Sequence, residues 1–143
     1  MLRWIAAKCI APKVKFSFNK EEDSYYDIEE NRINLNSHLR ENDFGFFRHI
    51  REAHGFTDIA AAVPEVWTLL HEVGHVHTWV EDEEEDIWRA ALSIVDGSYD
   101  TFIQDTYYNL ENEWLATEWA INYIKKHPVF VKILNCLVAR PQH

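Results

Sequence analysis

The chain has 143 residues, of which 47% are hydrophobic and 14% aromatic. That is enough apolar material for one packed domain over residues 1–143, and it excludes a disordered or collagen-like chain. The net charge of −10 argues against a nucleic-acid partner or an anionic membrane surface, since both select a basic footprint.

The opening stretch MLRWIAAKCIAPK is short, apolar and interrupted by Lys8, so no signal peptide is expected. No apolar run of about 18 residues is present, so no transmembrane helix is expected either. Cys9 and Cys136 lie far apart without a CxxC context. They read as free, buried thiols of a reducing compartment, and the protein as soluble and cytoplasmic. Strands are predicted at Val14 to Phe18, Tyr25 to Ile28 and Arg32 to Asn36, the last two forming a hairpin about Glu29-Glu30-Asn31.

From residue 42 the pattern turns helical. Asn42 or Asp43 can cap a helix to His54, with Gly55 as its stop. Thr57 or Asp58 can cap the next, which Pro64 breaks or restarts. A helix then runs from Pro64 to Val80. The run Glu81-Asp82-Glu83-Glu84-Glu85-Asp86 follows; it holds six of the 24 acidic residues and reads as a solvated segment. A shorter helical pattern covers Ile87 to Val95, a long helix spans about Asp100 to Lys126, and beyond Pro128 a last helix runs to Val138. The expected fold is α+β: a small antiparallel sheet, arranged as a meander, on a mainly helical body.

The informative residues are His71-Glu72-Val73-Gly74-His75, an HExxH pattern. Two histidines four apart on a helix project about 40° from one another, so both imidazoles can reach one tetrahedral Zn²⁺. Glu72 lies at the edge of that face, in reach of a water activated by the metal and suited to act as general base. Val66, Leu69, Val73, Val76 and Val80 make an apolar stripe on the opposite side. Trp67, Thr68 and Thr78 accompany the histidines, which suits a helix packed on one side and lining a cleft on the other. The six tryptophans read as core aromatics; a groove rim is the alternative, for which Trp67, on the histidine face, has the best claim.

Two histidines leave a third ligand to be found. Candidates are His77, an acid of the 81–86 run, or an acid on the long helix. His77 lies about 200° round the helix from His75 and points away from it. Glu113 is the one charged residue on a stripe made by Phe102, Ile103, Thr106, Leu110, Ala116, Thr117, Ala120, Ile121 and Ile124. Glu111 and Glu118 fall on the polar side. An acid on an apolar face is costly to bury without a cation, and zinc resolves that cost. Ala116 and Ala120 leave room for the HExxH helix.

Three stretches carry a resemblance to a known family. YYDIEENRINLN is similar to a strand pair ending in an I-x-hydrophobic-N strand. WTLLHEVGH and the stretch from Glu113 to Ala120 (EWLATEWA) are similar to a metal-binding helix pair. Together they span about residues 25 to 124, and they resemble the gluzincin peptidases and, within them, the ImmA/IrrE-like metallopeptidases. The resemblance implies a zincin-like domain with His71, His75 and Glu113 as zinc ligands and Glu72 as catalytic base. It has Asn or Asp where this chain has Thr117, which would bond a ligand histidine. It also requires an oxyanion donor, for which Tyr99, Tyr107, Tyr108 and His77 are available. It implies cleavage of a protein substrate such as a DNA-binding repressor. The substrate would lie by β-augmentation along Arg32, Ile33, Asn34, Leu35 and Asn36. The acidic groups at 21–30 and 81–86 would border that cleft and suit a basic substrate. Two rival readings are a zinc-holding interaction module without hydrolysis, of the toxin–antitoxin kind, and a metal-free helical interaction protein.

Overall fold

A computed structural model describes residues 2–19, 24–36, 43–81, 108 and 110–138. It is an α+β fold of three strands and a helical body. In chain order the elements are α1 (Leu2–Ile10), β1 (Lys15–Asn19), β2 (Tyr25–Asp27), β3 (Arg32–Asn36), α2 (Asp43–Ala53), a 3-10 turn (Ile59–Ala61), α3 (Pro64–Thr78), α4 (Glu111–Lys126) and α5 (Pro128–Val138). None of the described helices is long and apolar enough to cross a membrane.

Helix α1 is absent from the sequence reading. Its alanines Ala6 and Ala7 are buried, as is Ala11 just beyond its end. Lys8 stays compatible with that packing by turning its Nζ to the carbonyl oxygen of Val14, the usual way a lysine keeps its charged end satisfied over an apolar stem.

The hairpin forms as expected, and its turn explains how it does so without glycine. Asp27 Oδ1 accepts hydrogen bonds from the backbone N–H groups of Glu29 and Glu30, and Asn31 takes the left-handed conformation with φ 49°. Asn tolerates that region better than most residues because of its short polar side chain.

The sheet itself is mixed, not the antiparallel meander expected. Strand order is β1-β3-β2. β2 pairs antiparallel with β3 (Tyr26 opposite Ile33), but β1 pairs parallel with it (Phe16 opposite Ile33). A parallel pair needs a connection of about a dozen residues, and the segment that contains β2 supplies it. β3 is therefore the central strand. Ile33, Asn34 and Leu35 are buried, and both edges of β3 carry ladder bonds to neighbours. The expectation that Arg32, Ile33, Asn34, Leu35 and Asn36 offer a free substrate edge is thereby corrected: β3 has a neighbouring strand on each side.

Helix α3 lies between two cores. On one side Leu69 and Val73 pack with Ala7, Ala11, Val14, Ile33 and Leu35. On the other, Val66, Trp67 and Leu70 pack with Ile50, Ala120, Ile121, Ile124, Val131 and Leu134. Every residue from Val66 to His75 except Thr68 is buried. Trp67 is fully buried, and its Nε1–H donates to the Ile59 carbonyl at 2.7 Å. It is a core residue and not a groove rim, because the indole fills the space between α3, α2 and the 3-10 turn. The cysteines depart from expectation in the other sense. Cys9 and Cys136 are free, as expected, but exposed.

Two asparagines fix the ends of α3. Asn135 accepts from the Val63 N–H and donates to the Ala61 carbonyl at the entry. Fully buried Asn112 does the same for the N–H and carbonyl of Val80 at the exit. Buried backbone groups need such partners, and each side-chain amide meets both needs of one segment. The expected long helix from Asp100 begins instead at Glu111 among the described residues, since Leu110 has the extended ψ of 141°. Residues 100–107, including Phe102, Ile103 and Thr106, and the pattern at Ile87 to Val95 lie outside the described residues.

Candidate metal centre

Three features of the sequence place the two histidines. Pro64 opens α3 at its first turn, where its missing N–H costs nothing. The helical repeat then puts His71 and His75 on one face, with ring centroids 4.8 Å apart and planes at 85°. Gly74 lies between them at the closest approach of α4. A Cβ at that position would stand 2.5 Å from the Ala116 carbonyl oxygen and 2.9 Å from its Cα. Glycine is thus the residue that lets the two backbones touch, and Glu113, one turn before Ala116, comes into reach.

The Glu113 carboxylate sits between both imidazoles. His71 Nε2 is 2.7 Å from Oε2, and His75 Nε2 is 3.3 Å from Oε1. One ligand atom from each of His71, His75 and Glu113 falls within 4.8 Å of the others, so the three together could hold a metal ion. All three are more than nine-tenths buried, as is Glu72. Among the described residues this is the one cluster of three or more such groups. Ala116, Thr117, Ala120, Ile121 and Ile124 are buried on the same side of α4, while Glu111 and Glu118 are exposed. The stripe that singled out Glu113 is the packed face of the helix.

Electrostatics agree with geometry. Burial pushes the Glu113 carboxyl up, but the charges of His75 and His71, with their hydrogen bonds, hold it well below the usual carboxylate range. For Glu72 burial wins: its pKa is raised, although His75 and His71 pull it partly back. Glu72 Oε2 is buried with no hydrogen-bond partner among the described residues. A buried carboxylate oxygen without a donor is costly, and a water beside a cation on the neighbouring ligands would satisfy it. The donor set of two imidazoles and one carboxylate, beside such a carboxylate, fits zinc.

Thr117 Oγ1 lies 3.1 Å from His71 Nδ1. A hydroxyl both donates and accepts. With Nδ1–H donating to it, the lone pair of Nε2 is free for a metal, and the ring orientation is fixed. Thr117→Val is expected to weaken Zn²⁺ binding about 10–100-fold, while Thr117→Ser retains it; calorimetric titration of both variants checks this.

The other expected site residues divide. His77 is exposed and stacks on Trp119 at 4.9 Å with planes 11° apart. It faces away from the ligands, so it is not an oxyanion donor to them. Tyr108 is buried, with its ring 5.7 Å from Phe46 and stacked at 5.2 Å on His49. Tyr99, Tyr107 and residues 82–86 lie outside the described residues, as do 21–23 of the other acidic group.

Three residues near the centre were not singled out from sequence. Phe46 meets the His71 ring edge-on at 5.1 Å. His49 and His54 lie beyond it, in a cluster with Trp114. The signal available was a histidine, His49, set among Phe46, Phe47 and Ile50 on one face of α2. Burial lowers the pKa of both histidines, with the positive potential of neighbouring histidines adding to it, and His54 is pushed down to about 4. Between that value and the ordinary 6.5 the unfolded chain binds more protons at His54 than the folded one. Stability therefore rises with pH there and falls as pH drops from about 6.5 towards 4. Melting temperatures over that range are expected to fall less steeply for His54→Phe than for the wild type.

No family model, no curated protein and no solved structure matches this chain, so its functional reading rests on the residues of this centre.

Proposed function

We propose that the chain is a zinc-dependent metalloendopeptidase of the ImmA/IrrE-like kind. The observation that carries this reading is the convergence of His71, His75 and Glu113 beside a buried carboxylate oxygen of Glu72 that has no partner among the described residues. When bound, zinc supplies Lewis-acid polarisation of a carbonyl and a lowered pKa for water. Glu72 takes a proton from the attacking water and returns it to the departing amine. Its raised pKa suits both halves of that exchange, because a base held closer to neutrality also serves as an acid. With a metal on Nε2, Thr117 Oγ1 would accept from His71 Nδ1–H and hold the ring in place.

The substrate class is a protein or peptide, and a DNA-binding repressor is the candidate the resemblance implies. The chain's net charge of −10 supports a basic partner of that sort through long-range attraction.

Metal analysis of the purified protein, with an unfolded-protein cleavage assay, tests the reading. About one Zn²⁺ per chain at this centre and cleavage dependent on it are expected. Glu113→Gln should lose zinc affinity and Glu111→Gln should keep it, since only the first reaches the histidines. Equal losses would remove Glu113 as a ligand. Zinc held tightly with no hydrolysis of any protein would favour the interaction-module reading instead.

A further inference from the structure

Outside the centre just described, the structure assigns a second, two-histidine metal site to His49 and His54, for a borderline divalent cation such as Zn²⁺. His49 comes from the middle of α2, and His54 directly follows the end of that helix. Their rings are 5.4 Å apart between centroids with planes at 78°. The metal-type pair His71 and His75 has nearly the same relation, 4.8 Å and 85°. Zinc held about 2.1 Å from two Nε2 atoms at a tetrahedral angle places the ring centroids roughly 5 Å apart, and both pairs lie close to that value.

The ring atoms are prepared for the same role. The Nε2 atoms of His49 and His54 are both buried without a hydrogen-bond partner among the described residues. His49 also hydrogen-bonds the backbone of Tyr108. Its Nε2 has no partner among the described residues, which assigns that bond to Nδ1–H and the lone pair to Nε2. A backbone carbonyl on the far nitrogen is the arrangement that fixes a ligating histidine.

The surroundings hold the rings rather than satisfy them. Trp114 stacks on His54 at 3.8 Å, and Tyr108 stacks on His49 at 5.2 Å. Stacking occupies the faces and leaves the nitrogen-bearing edges to a ligand. Imidazole donors suit Zn²⁺, Ni²⁺ and Cu²⁺ better than Mg²⁺ or Ca²⁺. With two protein ligands, this site would be weaker than the first. Its cation would tie the chain after α2 back to that helix.

Chelator-treated full-length protein titrated with Zn²⁺ alone tests the site. Two equivalents per chain are expected, the second weaker. His54→Phe, which keeps a ring against Trp114, and His49→Phe should each lose the second equivalent and keep the first. His71→Ala should lose the first. Imidazole ¹H–¹⁵N spectra of the wild type give a reading that needs no variant. Zinc should shift the Nε2 resonances of His49 and His54 in addition to those of His71 and His75. A single equivalent in the wild type, a second equivalent that survives both phenylalanine substitutions, or shifts confined to His71 and His75 would overturn the assignment. The pair would then be ring packing alone.

Discussion

Glu72→Gln is expected to leave zinc bound and to reduce peptide cleavage by about 10²–10⁴-fold, the range over which a positioned acid–base group acts. The amide is close in shape to the carboxylate, and Glu72 is not one of the three converging ligands, so the metal should stay. What disappears is the ability to take a proton from water and pass it on. The buried position sharpens the expectation, because Glu72 Oε2 has no described partner that could substitute for it. Zinc content and turnover of one protein substrate, measured on the same preparations, give the result. Cleavage at the wild-type rate by the zinc-loaded variant would remove Glu72 from the mechanism. The same variant, still able to bind, is a suitable trap for the substrate.

Gly74→Ala is expected to destabilise the protein and weaken its metal centre together. In an isolated helix alanine would gain up to about 1 kcal/mol over glycine. Here the added Cβ would meet the Ala116 carbonyl oxygen at 2.5 Å and its Cα at 2.9 Å. Those are backbone atoms of a packed helix, and they cannot rotate aside as a side-chain tip would. Overpacking of this kind costs about 1–3 kcal/mol, so the clash outweighs the propensity. The strain is relieved only by moving α4 away from α3, which draws Glu113 off His71 and His75. Melting temperature and zinc affinity should therefore fall together. A variant that is more stable than the wild type, with unchanged zinc affinity, would show that the helices do not touch as described.

Much of this centre was legible in the sequence. The four-residue spacing of His71 and His75 fixes a shared face on any helix, and helix periodicity needs no knowledge of the fold. Glu113 followed from the cost of burying a charge among Leu110, Ala116, Ala120 and Ile121, which is also local reasoning. The hairpin, the stop at Gly55 with its φ of 69°, and the start at Pro64 follow from backbone preferences of single residues.

The errors share one cause: each depended on what lies across from a residue, which chain order does not specify. Alternation predicts three strands but not that β1 runs parallel to β3, so the strand chosen as an open edge is the covered centre of the sheet. Periodicity put Trp67 beside the histidines and left a groove rim open as an alternative to core; α2 and α5 close over that side and decide for core. His49 and His54 gave no spacing that marks a site, since their relation depends on where the chain turns after α2.

Local sequence determined the identity and helical register of the metal-type residues, because those depend on a repeat of 3.6 residues per turn and on the price of burying a charge. The tertiary structure alone decided that they meet. Glu113 lies 42 residues from His71 in the chain, and the contact depends on Gly74 and Ala116 letting two backbones approach. It also depends on Asn112 and Asn135 fixing the ends of α3 and on Thr117 orienting one ring. Those are steric and hydrogen-bonding relations between elements, and no local pattern encodes them.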